Sequence, residues 1–151
     1  MILTAAALAL ALTPAVIDDD RAPRPSRATA GIARQAANVP PGWAAFAACV
    51  EHRESKGHPG IVNPDSGAAG LFQFHPERDW RHGLPYMVAD RLTAHGLPRP
   101  AARALRITLQ GLPIHDWPAI WQRIGFAEVL DRGGWRHWHL RGSACNQLVP
   151  R

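Results

Sequence analysis

From Trp43 the apolar positions Phe46, Ala47 and Val50 recur at helical spacing, and one turn further along the same face stands a carboxylate, Glu54. Pro40-Pro41-Gly42 supplies a start for this helix and Gly57 a stop, which places Glu54 in its last turn on the inward side. The pattern changes between Ile61 and Phe74. Asn63-Pro64-Asp65-Ser66-Gly67 is a turn signal, and Gly70-Leu71-Phe72-Gln73-Phe74 alternates so that Leu71 and Gln73 share a face opposite Phe72 and Phe74. Such alternation predicts a small hairpin or two short strands. After His75-Pro76 helical spacing returns. Leu84 to His95 has Pro85 in its first turn, Met87, Val88 and Leu92 as core candidates and Gly96 as a stop. Pro100 to Leu109 is a second helical candidate. In the clearest, Asp116 caps a helix with Pro118 in its first turn, Ile120, Trp121, Ile124 and Ala127 on one stripe, and an end at Gly133-Gly134. Together these elements predict an α+β fold: a small, mainly helical domain with a short β-hairpin.

Composition sharpens this in two ways. Among 151 residues, 46% are apolar and six are tryptophan, which argues against a disordered chain, and the length suits one folded domain with a short appendage. The formal net charge is +5 and is carried by arginine, with Lys56 the only lysine, which favours an anionic partner such as an acidic cell wall or nucleic acid but says nothing of the fold.

At the N-terminus, the 16 residues from Ile2 to Ile17 carry no charge. A helix of that length spans about 24 Å, short of the roughly 30 Å hydrocarbon core of a bilayer. The stretch reads as a signal peptide over residues 1–17, with Thr13-Pro14-Ala15 a candidate cleavage site, although the usual positive start is missing. At most a transient membrane contact is expected from it. Residues 18–40, rich in Ala, Arg and Pro and without periodicity, read as a flexible linker, leaving 41–151 as the domain. Cys49 and Cys145 lie near the two ends of that domain. In an exported protein a bridge between them is the economical reading, worth about 4–5 kcal/mol by loop closure, and two separate buried thiols are the alternative.

Glu54 stands where a carboxylate is least comfortable. An apolar face and the negative end of a helix dipole both disfavour the ionised form. A glutamic acid that keeps its proton is what a general acid needs, and cleavage of a glycosidic bond requires one to protonate the leaving oxygen. The competing reading pairs Glu54 with Arg53 or another arginine at the helix end.

The run Cys49-Val50-Glu51-His52-Arg53-Glu54-Ser55-Lys56-Gly57, followed by Asn63-Pro64, Ser66-Gly67-Ala68, Gly70-Leu71-Phe72-Gln73-Phe74 and Trp80, resembles the lysozyme-like superfamily. The likeness is closest to resuscitation-promoting factors and soluble lytic transglycosylases. It is strong over Cys49 to Trp80 and weaker through Trp117 to Trp138, ending at Cys145. The resemblance implies a small lysozyme-like domain with its hairpin beside a catalytic cleft, cutting peptidoglycan glycan strands between MurNAc and GlcNAc without cofactor or metal. Glu54 matches the catalytic acid of that family, and Gly70, Leu71 and Gln73 the segment that lines the sugar cleft. A lytic transglycosylase uses one glutamate as acid and then base, giving a 1,6-anhydro sugar. Hydrolysis in the lysozyme manner calls for a second carboxylate, for which Asp79, standing where such proteins often have threonine, and Asp65 are the candidates. Glu51 is expected to face solvent or an arginine.

Sugars offer apolar faces and hydroxyl rims, so Ser55, Asn63 and Gln73 are the polar substrate-binding candidates, and Trp80 and Trp138 the aromatic ones. Local turn or cap bonding is the plainer role for Ser55 and Asn63. Trp43, Trp117 and Trp121 sit at core spacing.

Three rival readings remain. His137 and His139 with His52 or His58 suggest a metal, but the compact zinc-hydrolase motif His-Glu-x-x-His is absent. Arginine excess suggests nucleic acid, but no recognised binding motif accompanies it. A lysozyme-like domain that holds glycan without cutting it is the third. The expected protein is a secreted or wall-associated monomer, with a phage-encoded wall-degrading role also open.

Overall fold

The computed structural model describes residues 23–75 and 81–150, with the backbone alone at 81 and 82. The expected signal peptide, Asp79 and Trp80 lie outside the described residues.

Five α-helices are present among the described residues: α1 (Arg27–Ala36), α2 (Ala44–Ser55), α3 (Arg81–Ala94), α4 (Arg99–Gln110) and α5 (Ala119–Asp131). Short 3-10 turns follow at Ile114–Asp116, Gly134–Trp138 and Ala144–Leu148. No helix among the described residues is long and apolar enough to cross a membrane.

α5 is the central element. Trp121, Gln122, Ile124, Gly125, Phe126, Ala127, Val129 and Leu130 are all buried, so the helix is enclosed on every side rather than on one stripe. α3 packs on α4 and α5, and α1 closes over α3 and α5. The α3–α5 approach needs Gly125: a Cβ there would lie 2.7 Å from Leu84 Cδ1, inside van der Waals contact. The start of α5 differs from expectation. Pro118 occupies the N-cap without a side-chain bond, and Asp116 belongs to the preceding 3-10 turn.

The reading of 18–40 as a flexible linker fails for its second half. Ser26 caps α1 by accepting from the Thr29 amide at 3.3 Å, and Ala33 and Ala36 are fully buried. Arg91, buried on α3, fixes the far end of α1. Its Nε donates to Ala36 O at 2.6 Å and its Nη2 to Asn38 O at 2.7 Å, while Nη1 pairs with Glu128 and Asp131 of α5. A cation on the last carbonyls of a helix complements its dipole. Upstream of α1, Trp121 Nε1 donates to Pro23 O at 2.7 Å.

The β-hairpin is also not formed. Residues 62–74 hold two isolated antiparallel bridges, Val62 with Ala69 and Ala69 with Phe74, and no strand appears among the described residues. Gly70 and Gln73 take left-handed backbones, φ 81° and 50°, which interrupt any extended run. The alternation is lost with it. Leu71, Phe72 and Phe74 all enter the core, and only Gln73 turns outward. Among the described residues the domain is therefore mainly helical, without the β component of the expected α+β fold.

Candidate active site

The loop over 59–75 is held from beneath by one buried side chain. Gln122 on α5 accepts the Leu71 amide at 2.6 Å through Oε1, and its Nε2 reaches the carbonyls of Trp117, Pro59 and Ile114 at 2.8, 3.1 and 3.1 Å. Gly70 is required beside it, because a Cβ there would collide with Gln122 Oε1. Gln122→Leu keeps the volume and removes the amide, leaving the Leu71 N–H and several carbonyls dry and unpaired. At about 1–3 kcal/mol for a stranded buried group, the expected loss is roughly 3 kcal/mol in urea unfolding, and a loss below about 1 kcal/mol would contradict this role.

Over this loop lies a cleft of about 230 Å³ lined by Glu54, Asn63, Gln73, His137, Trp138 and Leu140, among others. This volume is below the roughly 300–1,000 Å³ usual for enclosed small-molecule sites, and the cleft is open to solvent along one side. A second cavity of about 330 Å³ opens beside the same loop, against Val62, Ala69, Leu112, Ile114 and Trp117, and shares Phe74 with the first.

Glu54 reaches the cleft from the penultimate residue of α2. The helix stops immediately after it because Lys56 and Gly57 adopt left-handed φ values of 52° and 82°. The side chain is 19% exposed and is not alone. Arg53 Nε and Nη2 both donate to Glu54 Oε1, at 2.9 and 2.5 Å. The arginine pairing of the competing reading is thus present, a charge-assisted contact made through Oε1 alone. Oε2 makes no hydrogen bond among the described residues and is the oxygen available to a ligand.

Arg53 also organises the opposite wall. Its Nη1 donates to Ser143 Oγ at 2.5 Å and its Nη2 to Trp138 O at 3.0 Å. The disulfide Cys49–Cys145, with Cα atoms 5.6 Å apart, ties the same tail to α2. His137 and Leu140, which carried no periodic signal in the sequence, become cleft residues through these long-range ties.

The other expected site residues divide. Asn63 lines the cleft, but its Oδ1 already accepts the amides of Asp65 and Ser66 at 2.9 and 3.2 Å, a local turn bond. Gln73 lines it from its left-handed backbone, and its Nε2 donates to Gly70 O at 3.2 Å. A non-glycine residue held in that conformation is the kind of local strain that clusters at functional sites.

Ser55 is 2% exposed and absent from the cleft wall. Its hydroxyl donates to Glu51 O at 2.9 Å and accepts the Gly57 amide at 3.1 Å, so it finishes the helix. Trp138 presents only an edge: it is 5% exposed, donates from Nε1 to Phe72 O at 2.7 Å and packs on Phe74 and Phe126. It is a wall of the core rather than a platform for a sugar face. Trp117 and Trp121 are buried, and Trp43 packs partly buried on Phe46.

No protein-family model, characterised protein or solved structure matches the chain. The chemistry must therefore be read from the side chains. Asp65 is exposed on its turn and does not line the Glu54 cleft. Glu51 is engaged by Arg123 at 2.7 and 3.1 Å, and this hydrogen bond holds the Arg123 guanidinium above its ordinary range against the opposing effect of burial. Glu54 is the one carboxylate lining this cleft among the described residues, and those residues contain no group of three or more His, Cys, Asp or Glu side chains arranged to hold a metal ion.

Proposed function

We infer that the protein cleaves peptidoglycan glycan strands between MurNAc and GlcNAc in the manner of a lytic transglycosylase, as a secreted, lysozyme-like domain. The observation that carries this reading is the meeting of Glu54 and Gln73, from separate elements, in one cleft, as the resemblance of the Glu-Ser and Gly-Leu-x-Gln segments implies.

In this scheme Oε2 of Glu54 gives a proton to the glycosidic oxygen as the C1–O bond breaks. The resulting carboxylate then takes the proton of the substrate's own C6 hydroxyl as O6 attacks C1, closing a 1,6-anhydro ring and restoring the acid. Arg53 holds Oε1 throughout and fixes the direction of Oε2. A single carboxylate suffices for this scheme; of the two candidates for a second, Asp65 does not line the cleft and Asp79 lies outside the described residues.

The Arg53–Glu54 pair favours a second reading, a domain that holds glycan without cutting it, because the guanidinium occupies one of the two carboxylate oxygens. Dye-labelled, purified sacculi distinguish the two. Release of soluble dye supports cleavage, and retention of the protein on intact sacculi without release leaves the binding reading.

A further inference from the structure

The face formed by α3 and α4, which the Glu54 cleft does not use, carries a second charged groove. It is lined by Tyr86, Asp90 and Thr93 of α3 and by Arg99, Arg103 and Arg106 of α4, and encloses about 560 Å³. The arginine spacing puts all three guanidinium groups on one stripe of α4, with axial steps of about 6 and 4.5 Å. α4 contains no acidic residue, and none of the three arginines forms a salt bridge among the described residues. The helix dipole adds to this excess, because Arg99 sits at the positive N-terminal end, where a cation is disfavoured unless an anion joins it. Asp90, the carboxylate of the groove, is taken by Arg132 at 3.3 Å.

Arg106 shows that the groove is built rather than a loose surface. Its guanidinium lies 4.3 Å from the centroid of the Tyr86 ring, and its Nε is shut off from solvent without a hydrogen-bond acceptor. Arg106 thereby occupies one face of the Tyr86 ring, which stays 46% exposed at the edge of the groove.

We propose that this groove binds a phosphodiester-linked anionic polymer of the cell wall, whose repeating phosphates meet the arginine stripe. The choice of a wall polymer rests on the cell-wall reading above. Planar guanidinium forks match phosphate oxygens, and a chain without bases needs no stacking surface.

The test uses the full chain carrying Glu54→Gln, so that cutting or its absence does not enter the readout, with poly(glycerol phosphate) as the probe. The Arg99→Gln/Arg103→Gln/Arg106→Gln variant is expected to lose tenfold or more in affinity at low salt. Its dependence of log affinity on log salt should be shallower by about two, at roughly 0.7 per phosphate contact. Arg103→Glu, a single change at an exposed position, should lose affinity in the same direction with an unchanged circular dichroism spectrum. Affinity equal to the parent in both variants overturns the site. Tighter binding of single-stranded DNA than of the polyol phosphate, lost in the same variants, overturns the choice of partner in favour of nucleic acid.

Discussion

Glu54→Gln is expected to slow release of soluble fragments from purified sacculi by about 10²–10⁴-fold, the range that a positioned general acid–base group contributes. The substitution keeps the shape of the side chain and an oxygen that Arg53 can still reach, but removes the proton that must be given and taken back. The fold should be unaffected. Arg53 retains Ser143 Oγ and Trp138 O as partners, and the lost ion pair is partly exposed, where such pairs contribute little. An unchanged melting temperature with lost activity places the effect on chemistry. Equal digestion rates in the two proteins remove Glu54 from the mechanism.

Removing the disulfide is expected to have the largest effect on stability. The bridge joins residues 96 apart in sequence, and loop closure of that length constrains the unfolded chain by about 4–5 kcal/mol. That is a large share of the roughly 5–15 kcal/mol by which domains are stable. Cys49→Ala/Cys145→Ala should therefore unfold at a much lower urea midpoint than the parent. The loss reaches the cleft as well, since the tail holding Leu140 and Ser143 is then tied to α2 chiefly through Arg53. Matching midpoints in the oxidised and cysteine-free proteins would contradict a structural bridge.

The sequence made most of the helical frame legible. α2, α4 and α5 lie close to where apolar spacing and their Gly or Pro flanks placed them, and α3 extends three residues before the expected start. α1 escaped because its packing face is small: Ala33 and Ala36 fill the contact, and alanine-rich helix looks like low-complexity linker when no large apolar residue marks a stripe. The expected hairpin rested on alternation alone, and alternation cannot register a left-handed residue such as Gln73.

The site was legible in its local parts and not in its long-range ones. Glu54 and the Gly70–Gln73 segment were readable as short motifs. The pairing of Arg53 with Glu54 could be weighed because the residues are adjacent, but nothing local decided it. What settles the geometry is the reach of Arg53 to Trp138 and Ser143, 85 and 90 residues away. The same distance effect turned Trp138 from an expected sugar platform into a core wall, since its partners Phe72, Phe74 and Phe126 are assembled only by the fold.

The central claim is that one carboxylate serves as acid and then as base. Mass spectrometry of the glycan fragments released from purified sacculi tests it most directly. The account predicts muropeptides ending in 1,6-anhydro sugars, lighter by one water than hydrolysis products and absent when Glu54→Gln is used. Fragments with reducing ends would contradict it by requiring an activated water, and intact sacculi would contradict cleavage itself.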